Sequence, residues 1–336
     1  MTINSNFPLN EIDVLGIGNA IVDILIQVEE SFLEMHSLTK GSMVLINEDE
    51  AEKLYRSIGS GLKSSGGSAA NTVAGLGALG SKTGFIGRVR NDQLGEIFTR
   101  DIRTAGALFD TNPAESGPNT ARCLIFVTPD AQRTMCTFLG ASVLLKPKDL
   151  DFSMVEKTKV LYLEGYLWDH PDAKQAFITA AKKCKHSGGN VALSLSDSFC
   201  VNRHRQSFLK LVDEYIDILF ANEEEIMALY QVKDLELALE KVKNSCEIVA
   251  VTRGSKGSIV LKSKDLFNVN PYKFGPLIDT TGAGDIYASG FLHGYTSGQD
   301  PLRCGKIGSI CAGQIITQLG SRSRINLRSF LKEHLT

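Results

Sequence analysis

No two cysteines in this sequence stand in a CxxC spacing, and no histidines stand in an HExxH spacing. The seven cysteines, at 123, 136, 184, 200, 246, 304 and 311, are odd in number, which argues against a disulfide framework and for reduced thiols packed in a core. The six scattered histidines offer no transition-metal ligand set. Neither sign of charge dominates: 36 basic against 38 acidic residues leave a net charge of −2. A footprint for nucleic acid or for an anionic membrane surface is therefore missing. No apolar run is long enough to span a membrane. Met1 to Asp13 is polar and acidic, without the basic and apolar regions of a secretory leader. There is no GxxxxGKS or GxxxxGKT phosphate loop, no internal repeat and no low-complexity tract. These absences lead us to expect a cytoplasmic protein, monomer or homodimer, that works on small molecules and has no nucleic-acid or membrane partner.

What is present is a regular alternation. With 43 % hydrophobic residues, the chain can bury a sizeable core. Apolar, β-branched runs at Val14–Ile17, Thr83–Gly87, Val160–Leu163, Val191–Leu195, Ile216–Ala221 and Ile248–Thr252 read as strands. Helical periodicity falls between them at Glu48–Ile58, Ser68–Leu79, Gln93–Ala105 and about 172–186, 204–214 and 223–244, then at 283–297 and 301–319. That pattern predicts an α/β fold with a doubly wound, mostly parallel sheet covered by helices on both faces, and an antiparallel addition at Gly257–Leu261. Strand-like runs at 24–28, 42–46, Ala121–Val127 and Arg133–Phe138, the last two joined by a Pro129-Asp130 turn, break the alternation and suggest a small sheet standing off the body.

The chain is organised around Asp279-Thr-Thr-Gly-Ala-Gly-Asp285, which opens a helix. A helix start leaves N–H groups unpaired and its dipole favours negative charge. Gly282, Ala283 and Gly284 let the backbone approach an anion closely, so phosphate is the expected guest. Asp285 beside a phosphate repels it unless the acid takes a proton from an attacking hydroxyl. Asn222-Glu223-Glu224-Glu225 begins another helix at a strand end. Alone it reads equally as an acid-rich capped turn, but its place on the same rim as the Asp285 helix favours Mg²⁺ held through water at Asn222 and Glu225. Asn19 and Asp23 lie at a strand end, where open sheets place ligands and where such side chains can hold vicinal hydroxyls, while Gly66 and Gly67 with Asn71 read either as a packing turn or as part of the same site. Gly75-Leu-Gly-Ala-Leu-Gly80 matches the dinucleotide GxGxxG pattern, but it lies late in a helix and is read as helix packing.

Gly66-Gly67-Ser-Ala-Ala-Asn71 and Asp279–Asp285 together resemble the two signatures of the ribokinase-like (PfkB) family, over nearly all of residues 12–325. Within the family the likeness runs to adenosine kinases, through Gly18–Asp23, Tyr162–Leu167, Leu193–Phe199 and Asp217–Glu225. The resemblance implies one ribokinase-like domain over 1–336 with a β-sheet lid from about 20–47 and 119–140. It implies ATP over Thr252, Gly254 and Gly257, with Ile307 and Ala312 walling its adenine. Mg²⁺ would sit near Asn222 and Glu225, and a K⁺ site is left open at Asp279 and Thr281. It further implies a lid arginine, Arg133, reaching the transferred phosphate. The acceptor is either adenosine, phosphorylated on its 5′-OH, or a sugar such as ribose or fructose. A nucleotide-binding protein without catalysis is disfavoured by Asp285 and Arg133. For a nucleobase, Phe126, Phe138, Tyr166, Leu167 and Phe199 are the expected slot.

Overall fold

The computed structural model describes residues 12–58, 61–130 and 132–335, so the polar start up to residue 11 lies outside them. In chain order the strands begin with β1 (Ile12–Ile17), β2 (Ile21–Gln27), β3 (Met43–Leu45), β4 (Leu62–Gly66), β5 (Thr83–Ile86), β6 (Ala107–Leu108) and β7 (Ala121–Val127). They continue with β8 (Arg133–Phe138), β9 (Thr158–Glu164), β10 (Asn190–Ser194), β11 (Ile218–Asn222), β12 (Ile248–Thr252), β13 (Ser258–Lys262) and β14 (Asp265–Val269). The helices are α1 (Glu30–Met35), α2 (Glu48–Ser57), α3 (Ser68–Leu79), α4 (Gln93–Thr104), α5 (Phe152–Glu156) and α6 (Pro171–His186). After them come α7 (Ser198–Tyr215), α8 (Glu223–Tyr230), α9 (Leu235–Val242), α10 (Ala283–Thr296), α11 (Pro301–Ile315) and α12 (Leu327–His334).

The larger sheet has nine strands in the order β14-β13-β12-β11-β10-β9-β1-β5-β6. Its pairs are parallel from β12 to β6 and antiparallel at β12–β13 and β13–β14. Side chains alternate across each strand, and the alternation divides the core in two. Leu15, Leu161, Leu193, Leu219 and Val249 pack with residues of α6 to α9. Val14, Val160, Tyr162, Phe220 and Ala250 face the opposite way, towards α3, α4 and α10. This is the doubly wound arrangement expected. No helix among the described residues is long and apolar enough to cross a membrane. All seven cysteines are buried and free.

The smaller sheet runs β3-β8-β7-β2-β4 and contains the four expected lid strands. Its fifth strand, β4, was not expected, because Leu-Lys-Ser-Ser-Gly carries no apolar alternation; pairing with β2 makes it a strand. Other differences have local causes. The helix read over 223–244 is two, broken where Gln231 takes a left-handed conformation (φ 51°) and Asp234 caps a new start. The helix read from 204 starts at Ser198, under the Asp197 cap, and bends at His204. Strand β14 and helix α12 were not foreseen; β14 is exposed at three of its five positions, so its pattern carries little apolar signal.

The GxGxxG glycines are packing points. A side chain at Gly75 would strike Ser289 of α10, one at Gly77 would strike the Ala105 carbonyl, and Gly80 caps α3.

Candidate active site

Helices α3 and α10 lie side by side on one face of the large sheet, with their first turns together. The chain enters α3 through Gly67 at φ 96°, where a β-carbon would fall 2.2 Å from the Asn19 carbonyl oxygen. It enters α10 through Gly282 at φ 75°. Both positions need the left-handed region that glycine alone adopts at low cost. The seam is tied by Ser289 Oγ, which donates to the Thr72 carbonyl at 2.8 Å.

Asp285, in the first turn of α10, is the centre of this seam. Ser68 Oγ donates to its Oδ1 (2.6 Å) and Asn71 Nδ2 to its Oδ2 (3.1 Å). Burial pushes its carboxyl up to about 6, against those two bonds and the charge of Arg322, which pull it down. Asp23, on β2, is likewise pushed up to about 6, first by burial; Arg322 and Arg133 oppose this and the Asp285 charge adds to it. Gly66 leaves room for Asp23, since a β-carbon there would sit 2.3 Å from its carboxyl carbon. A carboxyl poised near 6 is ionised at neutral pH and basic enough to accept a proton.

Above the α10 start there is open space: an added β-carbon at Gly284 meets nothing within 4 Å. The Ala283 amide, expected to face an anion, is turned back onto the Thr280 carbonyl at 3.1 Å. The open amides of this helix start therefore centre on Gly284. Arg133 of β8 crosses from the small sheet and pairs with Asp279 at 2.5 Å, both side chains nearly buried. Asp279 also accepts from the Thr281 amide (3.0 Å) and the Gly320 amide (2.8 Å). Its oxygens are thus engaged by two amides and a guanidinium.

Asn19 is buried and occupied. Its Nδ2 donates to Glu164 Oε1 (2.8 Å) and its Oδ1 accepts from Ser142 Oγ (2.9 Å). It holds the end of β1 in place, and Gly67 shapes the turn, so of the five expected hydroxyl-binding positions Asp23 and Asn71 present polar side chains to the cleft. Glu164, which the sequence reading passed over, accepts from the Ala69 amide at 2.7 Å and is pushed up to about 7 by burial. Arg322 was missed as well; Ser-Arg-Ser-Arg after the last expected helix reads as a basic tail.

Further along the same rim, Asn222 and Glu225 form a reciprocal cap. Each Glu225 oxygen accepts one bond from Asn222, at 2.7 and 2.9 Å, and keeps a lone pair. Burial pushes this carboxyl up to about 7. The set suits a metal-bound water and does not suit direct ligation. Among the described residues no group of three or more His, Cys, Asp and Glu is placed to hold a metal. Thr252 ends β12, and Gly254 lies open beside it, whereas Gly257 sits hard against the Val269 carbonyl in a hairpin.

Several expected contacts are elsewhere. Ile307, 2 % exposed, packs onto Gly290 and Gly294 of α10. Ala312 lies half-buried beside it on α11. Phe126 and Phe138 point to the far side of the lid, Phe126 packing against Phe32 with ring centroids 5.0 Å apart and planes tilted, and Leu167 is core. Phe199 is 76 % exposed at the start of α7. Tyr166 remains near the rim, its hydroxyl donating to the Ser196 carbonyl (3.2 Å). What lines the lid face on the Asp23 side instead is apolar and mostly aliphatic: Ile21, Leu25, Cys123, Ile125, Val127 and Met135.

A parallel sheet with an acid and an open helix start at its rim, under a small β-lid, defines a class of phosphotransferase. A model of the pfkB family carbohydrate kinases matches residues 38–327. The chain belongs to this family, as a sugar or nucleoside kinase. It is similar to an adenosine kinase from Sinorhizobium meliloti, at 47 % identity over 96 % of this chain and 99 % of that one, with a TM-score of 0.88. A probable sugar kinase from Rhizobium etli is as similar: 46 % identity, 96 % and 98 % coverage, TM-score 0.89. The adenosine kinase of Saccharomyces cerevisiae is 25 % identical over 90 % of this chain and 94 % of its own length.

Proposed function

We propose that this kinase transfers the γ-phosphoryl group of ATP to the 5′-OH of a ribonucleoside, adenosine foremost. The apolar strip of the lid carries the reading. Asp23 stands on the same face as Ile21, Leu25, Cys123 and Ile125. A sugar held by Asp23 and Asn71 therefore has a dry surface beside it, which suits a flat base and which a free sugar, polar all round, leaves unused. The likeness to adenosine kinases supports the same choice.

Asp285 accepts the proton of the attacking hydroxyl, and Ser68 and Asn71 hold its carboxylate in place. The Gly284 amide and the helix dipole receive the charge that develops on the phosphoryl oxygens. Arg133 leaves Asp279 to meet the same oxygens when nucleotide arrives. Thr252 and Gly254 border the nucleotide's place on the rim. Mg²⁺ would be held through water at Asn222 and Glu225 and would screen the phosphate charge. Closure of the lid keeps water from competing as acceptor.

The test is ADP release with adenosine, inosine, guanosine, ribose and fructose as acceptors. An aromatic group buries roughly 150–250 Å². At about 25 cal/mol per Å², partly realised, its loss lowers kcat/KM on the order of 10²–10³-fold for ribose. Equal kcat/KM for ribose and adenosine, or a preference for fructose, overturns the nucleoside reading and leaves the kinase standing.

A further inference from the structure

Arg322 lies on the turn that follows α11, and no step above uses it. Its guanidinium is fixed from both ends: Nη2 donates to the Ser65 carbonyl (2.7 Å) and Ser65 Oγ (2.9 Å), and Nη1 to the Ala70 carbonyl (3.0 Å). Ser65 belongs to β4 of the lid, and Ala70 to the first turn of α3. One side chain therefore joins the lid root, the acceptor-side helix and the C-terminal turn. That turn is anchored in its own right, because the Gly320 amide donates to Asp279 and Gln318 Nε2 donates to the Arg322 carbonyl (2.6 Å). Arg322 Nε is buried without a partner.

Acids converge on this cation. Asp101 of α4, Asp23 of β2 and Asp285 of α10 all act on it electrostatically. Asp101 is itself bound to Ser65, through the amide and Oγ, both at 2.7 Å. The other ionisable groups facing the two cleft acids are Arg133 of β8, Cys123 of β7, Tyr162 and Glu164 of β9, Tyr166 and, from α8, Glu225. Two carboxylates sharing a poorly hydrated cleft cannot both stay ionised without a nearby positive charge. Arg133 is committed to Asp279 in this structure. Arg322 is the cation that stays.

We propose that Arg322 is a positioning residue that serves as the fixed counter-charge of the acceptor site, holding Asp285 ionised beside Asp23 so that it can act as the base. The inference rests on the kinase reading for its kinetic consequence and not for its electrostatic one, so the two can fail separately.

The experiment compares wild type with Arg322→Gln and Arg322→Lys by ¹³C-carboxyl NMR titration, the Asp285 signal being assigned with Asp285→Asn. The pH profile of kcat/KM with adenosine is then recorded. In wild type we expect Asp285, pushed up by burial, to titrate at about 6. In Arg322→Gln we expect the titration, and the acid limb with it, to move up by about one pH unit. That lowers kcat/KM about fivefold at pH 6 and by less than about 1.2-fold at pH 8.5. Arg322→Lys restores the limb to near its wild-type position. Arg322→Met fills the same channel without charge and replaces the glutamine variant should that not fold. An unmoved Asp285 titration in the neutral variant overturns the proposal and leaves Arg322 a structural clamp, as does a rate loss equal at all pH values. A moved titration in a protein that releases ADP with no acceptor upholds the counter-charge and removes the kinase reading alone.

Discussion

In the large sheet, β5 and β9 to β12 have their apolar positions buried on both faces, and the helices over them fill the gaps with small residues. In the small sheet, β3 is exposed at all three positions and β4 begins exposed, while β7, between them, is buried throughout. Its far face joins the core through Phe126, Leu124 and Ile24; its near face ends in an aliphatic strip over Asp23. The large sheet thus fixes the proposed base and anion site, and catalytic geometry is sensitive to displacement. The small sheet has one face packed into the core and one that carries the aliphatic strip proposed to receive the acceptor.

The comparison breaks first at Asp285. Asp285→Asn keeps the shape of the α3–α10 seam and removes the base, so kcat should fall by about 10²–10⁴-fold while ATP and acceptor still bind. Retention of near wild-type kcat in a folded variant would remove Asp285 from the chemistry.

Glu164 offers a smaller effect on the fixed side. Its carboxyl, raised from 4.5 to about 7 by burial, binds more protons in the folded chain than in the unfolded one. The stabilisation is complete below the unfolded value near 4.5 and is lost as the pH climbs through about 7. Between pH 6 and 8 this one group should lower stability by about 1 kcal/mol. Urea melts at the two pH values should show that loss in wild type and not in Glu164→Gln. The same slope in both proteins would assign it to other groups.

The least effect is dynamic. Acceptor binding should slow amide exchange across 121–138, by on the order of tenfold, and leave 191–195 in β10 unchanged. Equal responses in both segments would deny the contrast between the sheets.

Sequence carried the large sheet well, because buried parallel strands such as Val160–Leu163 are near-continuous apolar runs that composition alone reveals. It carried Asp285 and the α10 start through the Gly-Ala-Gly turn. It did not carry β4, whose strand character depends on its neighbour β2, nor the break at Gln231, where a non-glycine residue takes a left-handed turn. Arg322 could not be read either. Its partners, Ser65, Ala70, Asp101 and Asp285, are distant in sequence, and its role exists only once the C-terminal turn folds back. Asn19 and Ile307 show the reverse: plausible ligand contacts that the fold uses for internal bonding and for helix packing.

The aliphatic strip has a consequence for descent. Ile21, Leu25, Cys123, Ile125, Val127 and Met135 form a cluster of their own, separate from the one that packs α10 on α11. Replacing one or two of them reshapes the volume above Asp23 and leaves Asp285 and its supports untouched. Under the proposed function, acceptor preference can then drift within a lineage at little risk to phosphoryl transfer. Similarity to both an adenosine kinase and a probable sugar kinase is in keeping with that division of labour.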